Sequence, residues 1–161
     1  MEDAGDEHGG KKLPVIVATE DLGRYRGEVT MVDGGFDPLH HGHVAYLEAA
    51  AGLGLPVLAN VSPDDWVGEK HPPFLDQAER GAVIDAIRFV ACTHLSAIET
   101  VEVLRLLAPR YYAKGADWRG RLPEDELAAC ADAGTEVVYL DTVVDSSTAI
   151  LERYADRRQA R

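Results

Sequence analysis

From Glu28 onward the chain alternates between two kinds of apolar pattern. Short runs rich in β-branched and aromatic residues (EVTMVD, PVLANV, RFVACT, RYYAK and EVVYL) each give way to a polar or glycine-bearing stretch. They are too short for helices and predict buried strands. Between them apolar residues return every three or four positions. HVAYLEAAAGL, FLDQAERGAVIDAI, IETVEVLRLL, PEDELAACADA and SSTAILERYADRR predict helices. Val83, Ile84 and Ile87 share one helix face; Val101, Leu104 and Leu107 share another. Pro123 suits a first helical turn and Gly134 a helix end. A further short helix is expected near Glu20 to Arg26. Strand and helix alternating in this way predict an α/β chain: one doubly wound domain with a parallel five-stranded sheet and helices on both faces.

Such sheets bind ligands beyond the carboxyl ends of their strands. The loops to watch are therefore GGFDPLHHGH, SPDDWVGEKHPP, GADWRGRLP and DTVVDSS. The first holds three of the chain's six histidines, His40, His41 and His43. Gly34 and Gly35 let the backbone turn and approach a ligand. Gly42 stands at the mouth of the following helix, whose free N–H groups favour an anion. His40 and His43, three apart, can face one site and donate to phosphate. Other readings of the loop are a plain turn and a metal site, the latter without a third ligand at suitable spacing. His41 reads as solvent-exposed.

Bulk properties narrow the partners. The 161 residues suit one domain, and 46% hydrophobic residues suffice for a core. A formal net charge of −12 speaks against non-specific nucleic-acid binding and against docking on an anionic membrane. No apolar stretch reaches membrane-spanning length. The first residues, MEDAGDEHGGKK, lack the basic and apolar regions of a signal peptide, so a cytoplasmic protein is expected. Residues 1–15 are expected to be disordered, with the folded domain over 16–161. Cys92 and Cys130 lie in apolar runs and read as reduced and buried.

GGFDPLHHGH resembles the HxGH signature of the cytidylyltransferase-like nucleotidyltransferases. AIRFV resembles an arginine-bearing segment of the glycerol-3-phosphate cytidylyltransferases. KGADWRG is similar both to their GDDW segment and to the KGGDY segment of the heptose-1-phosphate adenylyltransferases. TEVVYL…DSSTAI resembles the family's STT helix start. The likeness runs from about Ile16 to Tyr154. It implies a Rossmann-like domain that transfers an NMP group from a nucleoside triphosphate to a phosphorylated small molecule and releases pyrophosphate.

The resemblance also implies roles. His40, His43, Arg88 and Lys70 would carry catalysis. Gly34, Gly35, Phe36, Asp37, Gly42, Asp64, Arg80, Gly115, Asp117, Ser146, Ser147 and Thr148 would bind the nucleotide, with Arg80 near the phosphates and Gly115 and Asp117 beside the base. Trp118 would close the base pocket or pack against it. Mg²⁺ is expected as cofactor, held by triphosphate oxygens with no metal ligand from the protein. The lead-in ATEDLGRYRGEVTMVDGGFD looks like that of the heptose-1-phosphate adenylyltransferases. The loop before SST is short and lacks an arginine that the cytidylyl branch carries. Adenylylation of a heptose 1-phosphate-like sugar phosphate is therefore favoured over CTP-dependent transfer to glycerol 3-phosphate or another phosphorylated polyol or phosphonate. A nucleotide-binding module without catalysis is the remaining alternative. A homodimer is compatible with the family.

Overall fold

The computed structural model describes residues 16–142 and 146–160. Strands β1 (Ile16–Val17), β2 (Thr30–Gly34), β3 (Val57–Val61), β4 (Cys92–Leu95), β5 (Tyr111–Gly115) and β6 (Glu136–Leu140) form one sheet in the order β1-β4-β3-β2-β5-β6. Every pairing is parallel. The helices are α1 (His41–Ala51), α2 (Asp64–Gly68), α3 (Gln77–Asp85), α4 (Thr100–Leu107), α5 (Glu124–Ala133) and α6 (Ser147–Gln159), with 3₁₀ turns at Thr19–Tyr25 and Ala116–Trp118. The α/β, parallel, doubly wound architecture is as the alternation predicts.

The sheet has six strands where five were expected. The extra strand, β1, is a two-residue edge segment paired with β4 through Ile16↔Thr93 and Val17↔His94. Two residues give no readable alternation. The strand expected over RFVACT is displaced toward its carboxyl end. Phe89 and Val90 pack against the core from a turn, and β4 begins only at Cys92. The single turn α2 was not foreseen either. The expected disordered segment over residues 1–15 lies outside the described residues.

Strand alternation builds two cores, one on each sheet face. Met31, Leu58 and Tyr112 join Val103, Leu104, Leu107, Ala129 and Cys130, so α4 and α5 cover that face. Their strand neighbours Val32, Ala59 and Ala113 join Leu47, Ala50 and Ile84, so α1 and α3 cover the other. A fully buried Leu of this kind contributes about 1.5–3 kcal/mol relative to exposure. Cys92 and Cys130 are both free and buried, in line with their apolar surroundings.

β2 lies at the centre, and the chain leaves it first toward β3 and later returns to its other side as β5. That reversal is the switch point at which such sheets open a crevice. The pairing shows the opening. β2 meets β3 along its whole length, from Thr30↔Val57 to Gly34↔Val61. Its register with β5 stops after Met31↔Tyr112. Two positions further on the register brings Asp33 and Lys114 opposite each other at the crevice floor.

Candidate active site

The loops after β2, β3 and β5 meet over this crevice with the start of α6. Of the expected residues, His40, His43, Lys70, Gly34, Gly35, Phe36, Asp37, Gly42, Gly115, Asp117, Ser146, Ser147 and Thr148 all line one cleft. Trp118 lines it too.

The two histidines interlock at the start of α1. His40 is the N-cap, and its Nδ1 accepts from the Gly42 N–H at 3.1 Å. His43 Nδ1 accepts from the His40 backbone N–H at 3.3 Å. This is the reciprocal logic of a capping box, with imidazoles in place of hydroxyl and carboxylate. The spacing of three in HxGH is thus the spacing of a helix cap. A backbone N–H can bond only to a bare nitrogen, so each neutral ring carries its proton on Nε2 as a donor. The rings lie 4.0 Å apart, centre to centre. Burial first, and then the charge of His40, push His43 down from 6.5 to about 4. His43 is therefore neutral at pH 7. His41 is exposed, as expected.

One prediction follows from the sign of that shift. Between pH 6.5 and about 4 the unfolded chain binds a proton that folded His43 refuses. Stability contributed by this group is complete above pH 6.5 and is lost as the pH falls through the folded value. The loss should reach about 3 kcal/mol at most. Urea titrations at pH 7 and 4.5 of the wild type and His43→Asn should show the difference shrinking in the variant.

The loop itself is held under strain. Phe36 has φ 52, a left-handed conformation that non-glycine residues rarely adopt. Its ring is buried edge-on to His43 at 5.3 Å. Gly35 lets the loop lie close to α2: a Cβ there would meet Val67 Cγ2 at 3.0 Å, so Val67 would have to give way. Asp37, also buried, accepts from the Phe74 and Leu75 N–H groups at 2.8 and 3.2 Å. It fastens the histidine loop to the segment after α2. Across the cleft Ser146 caps α6 through the Ala149 N–H (3.1 Å), and the Ser147 hydroxyl donates to the Pro38 carbonyl at 3.0 Å. Two helix N-termini, those of α1 and α6, thereby face one space, which favours an anion.

Three expected residues stand elsewhere. Arg80 is buried, and its donors go to Leu75 O (3.2 Å), Gly35 O (2.7 Å) and the Asp64 carboxylate (2.6 Å). It holds the back of the glycine loop and does not line the cleft. Asp64 is its partner there, also off the lining. Arg88 follows the end of α3, is exposed, and lies over the Phe89 ring at 4.9 Å.

Other cleft residues were not anticipated. Lys114 Nζ donates to Asp33 at 2.7 Å, both side chains about 90% buried. The Tyr112 hydroxyl lies 2.9 Å from the Asp33 carboxylate and 3.0 Å from that of Glu126. Burial, and then Asp33, raise Glu126. A single phenolic proton cannot serve two carboxylates, so a raised Glu126 suits the arrangement. Tyr46 donates to Ala113 O at 2.6 Å. Trp66 carries Lys70 over its ring at 4.1 Å. The signal for Asp33 and Lys114 was available: each is a charge ending an otherwise apolar strand. Among the described residues no group of three His, Cys, Asp or Glu could hold a metal ion. No described helix is long and apolar enough to cross a membrane.

Comparison with known proteins agrees with this geometry. The chain is 35% identical over 155 residues to the bifunctional protein HldE of Gluconobacter oxydans, and 31% identical over 149 residues to that of Methylobacillus flagellatus. These matches cover 89% and 88% of the chain but 31% and 30% of the relatives, so the chain spans about a third of their length. A lipopolysaccharide core biosynthesis protein from Thermoplasma volcanium superposes with TM-score 0.62 over 71% of this chain and 96% of its own, at 24% identity, which shows a shared fold. The cytidylyltransferase-like family model matches residues 31–153, from the middle of the central strand to the last helix. With the HxGH loop, the switch-point cleft and that match in place, the chain belongs to the cytidylyltransferase-like family of nucleotidyltransferases.

Proposed function

We propose that the protein transfers a nucleoside monophosphate from a nucleoside triphosphate to a phosphorylated sugar, with ATP as donor and a heptose 1-phosphate-like acceptor. The observation that carries the reading is the donor set of the cleft. Two Nε2–H imidazoles, two lysines and two helix N-termini converge, and among the described residues no cysteine lines the cleft. That is a site for bringing anions together. The acceptor's phosphate oxygen is ionised at neutral pH and needs no general base. It attacks the α-phosphorus as the bond to pyrophosphate breaks. His40 and His43 stabilise the charge that accumulates on the phosphoryl oxygens, in fixed geometry and largely out of water.

A Mg²⁺ ion fits this site as a passenger on the triphosphate. Asp33 is engaged by Lys114, and the described residues offer no three-ligand cage. Bound there, the ion would offset charge on the departing pyrophosphate. The adenylyl preference draws on the likeness of the lead-in ATEDLGRYRGEVTMVDGGFD to that of the heptose-1-phosphate adenylyltransferases, and on the short loop before Ser146, which lacks the arginine that the cytidylyl branch carries.

The test is pyrophosphate release from ATP and from CTP, each with a panel of sugar and polyol phosphates. ATP with a heptose 1-phosphate should give the highest kcat/KM, and excess chelator should abolish it. A tenfold preference for CTP, about 1.4 kcal/mol, would overturn the adenylyl reading.

A further inference from the structure

Tyr46 stands on α1, three residues after His43, and no step of the reaction above uses it. Its ring packs on the apolar core of that sheet face, and it lines the cleft. A phenylalanine would fill the same space. The hydroxyl is the part that needs a reason, and its partners are backbone groups of two different strands. It donates to the Ala113 carbonyl of β5 at 2.6 Å. The backbone N–H of Asp33, on β2, is directed at the same oxygen. Burial first, and then the Asp33 carboxylate, hold the phenol well above its usual range, so the hydroxyl keeps the proton it donates.

Those two backbone groups are the pair that the sheet would otherwise join. Along a strand inside a parallel sheet, successive N–H groups point to alternate neighbours. The Thr30 N–H goes to Pro56 O, on the β3 side, at 2.9 Å. Met31 and Asp33 therefore point toward β5. Met31 lies opposite Tyr112, which sets Asp33 opposite Lys114. The Asp33 N–H then belongs on the carbonyl just before Lys114, that of Ala113. The paired register ends short of that bond. On the other side of β2 nothing intervenes. Pairing with β3 runs to Gly34↔Val61, and the Ser62 N–H continues it to the Gly34 carbonyl at 2.9 Å. The seam opens on the one side where a hydroxyl takes the place of a ladder bond. A hydroxyl can stand there without orphaning either backbone group, because it accepts and donates at once. A continuous ladder would hold the strands about 4.8 Å apart to their ends and close the crevice floor.

We infer that the Tyr46 hydroxyl is a wedge between β2 and β5, and that Tyr46 is a positioning residue which holds the crevice open and sets the distance from the α1 histidines to the β5 wall. It acts through the groups it ties together. The positioning role rests on the nucleotidyl-transfer reading. The wedge does not, because it can be observed without turnover.

The test is Tyr46→Phe, which keeps the ring and removes only the hydroxyl. Magnetic resonance on the isotopically labelled full chain reads the scalar coupling carried across an N–H···O=C bond. The wild type should show that coupling from Thr30 to Pro56 and none from Asp33 to Ala113. In Tyr46→Phe the two freed groups should bond to each other, so the Asp33–Ala113 coupling should appear while the melting temperature holds. Ground-state binding tolerates a small shift of the walls better than in-line transfer does. The variant's kcat should therefore fall about tenfold or more, while its Mg-ATP affinity by calorimetry stays within about threefold. An Asp33–Ala113 coupling already present in the wild type would overturn the wedge, however the variant folds. A folded variant with kcat unchanged, or with activity lost only in proportion to its unfolded fraction, would overturn the positioning role. The expected pair of couplings in a protein that turns over no NTP would leave the wedge standing and sink the function.

Discussion

Replacing His40 or His43 with alanine is expected to lower turnover a hundredfold or more, on the order of 3 kcal/mol. The effect should fall on kcat, since the donors matter most where charge accumulates in the transition state. Each change also removes half of the cap on α1, a cost of about 1 kcal/mol in stability. The two losses can be separated. Asparagine offers a side-chain oxygen that can accept from the cap N–H, so His40→Asn should restore much of the melting temperature and little of the activity. His41→Ala should change neither. Activity tracking stability across all four variants would mean that the histidines serve the helix and not the chemistry.

Arg80→Met is expected to be the most destabilising single substitution at the site's periphery. The guanidinium is buried and bonded to two carbonyls and a carboxylate. Removing it leaves the carbonyls of Gly35 and Leu75 without their donor and Asp64 without its counter-ion. Each carbonyl left without its donor costs about 1–3 kcal/mol, whereas Asp64, 45% exposed, is re-solvated at little cost. For a chain of this size each kcal/mol moves Tm by about 2–4 °C, so a drop on the order of 10 °C is anticipated. The nucleotide affinity of the surviving folded protein should change little, because no Arg80 donor reaches the cleft. A variant that melts normally and binds ATP poorly would return Arg80 to the phosphates.

The fold was largely readable because its signals are local. Period-two and period-3.6 runs reveal themselves within a dozen residues, and their alternation implies the parallel sheet and the rim on which ligands bind. β1 escaped because two residues carry no period. Arg80 is four residues from Ile84, so its spacing already puts both on the buried face of α3. Arg88 takes its role from the resemblance of AIRFV alone, and it lies exposed beyond the end of α3. Lys114 and Asp33 are visible singly, as charges ending apolar strands, but not as a pair. Their pairing depends on which strands are neighbours across the switch point, and no local pattern states that. The HxGH histidines were found, but their tautomers became legible only with the backbone bonds that fix them.

The seam between β2 and β5 has a consequence for how the protein acquires its site. β2, β3 and β4 pair with near neighbours in sequence, as do β5 and β6, whereas Thr30 meets Tyr111 only across an 81-residue separation. Loop-closure entropy favours the short connections first. The two halves should therefore mature separately, and the crevice should come into being when they dock. Asp33 belongs to one half and Lys114 to the other, so the floor of the site is also its closing joint. A ligand gripped from both sides acts as a fastener. It resists separation of the halves by RT ln(1 + [L]/Kd), about 2.7 kcal/mol at a hundredfold excess over Kd. In the cell, substrate supply would then govern how long the chain stays assembled as well as how fast it works.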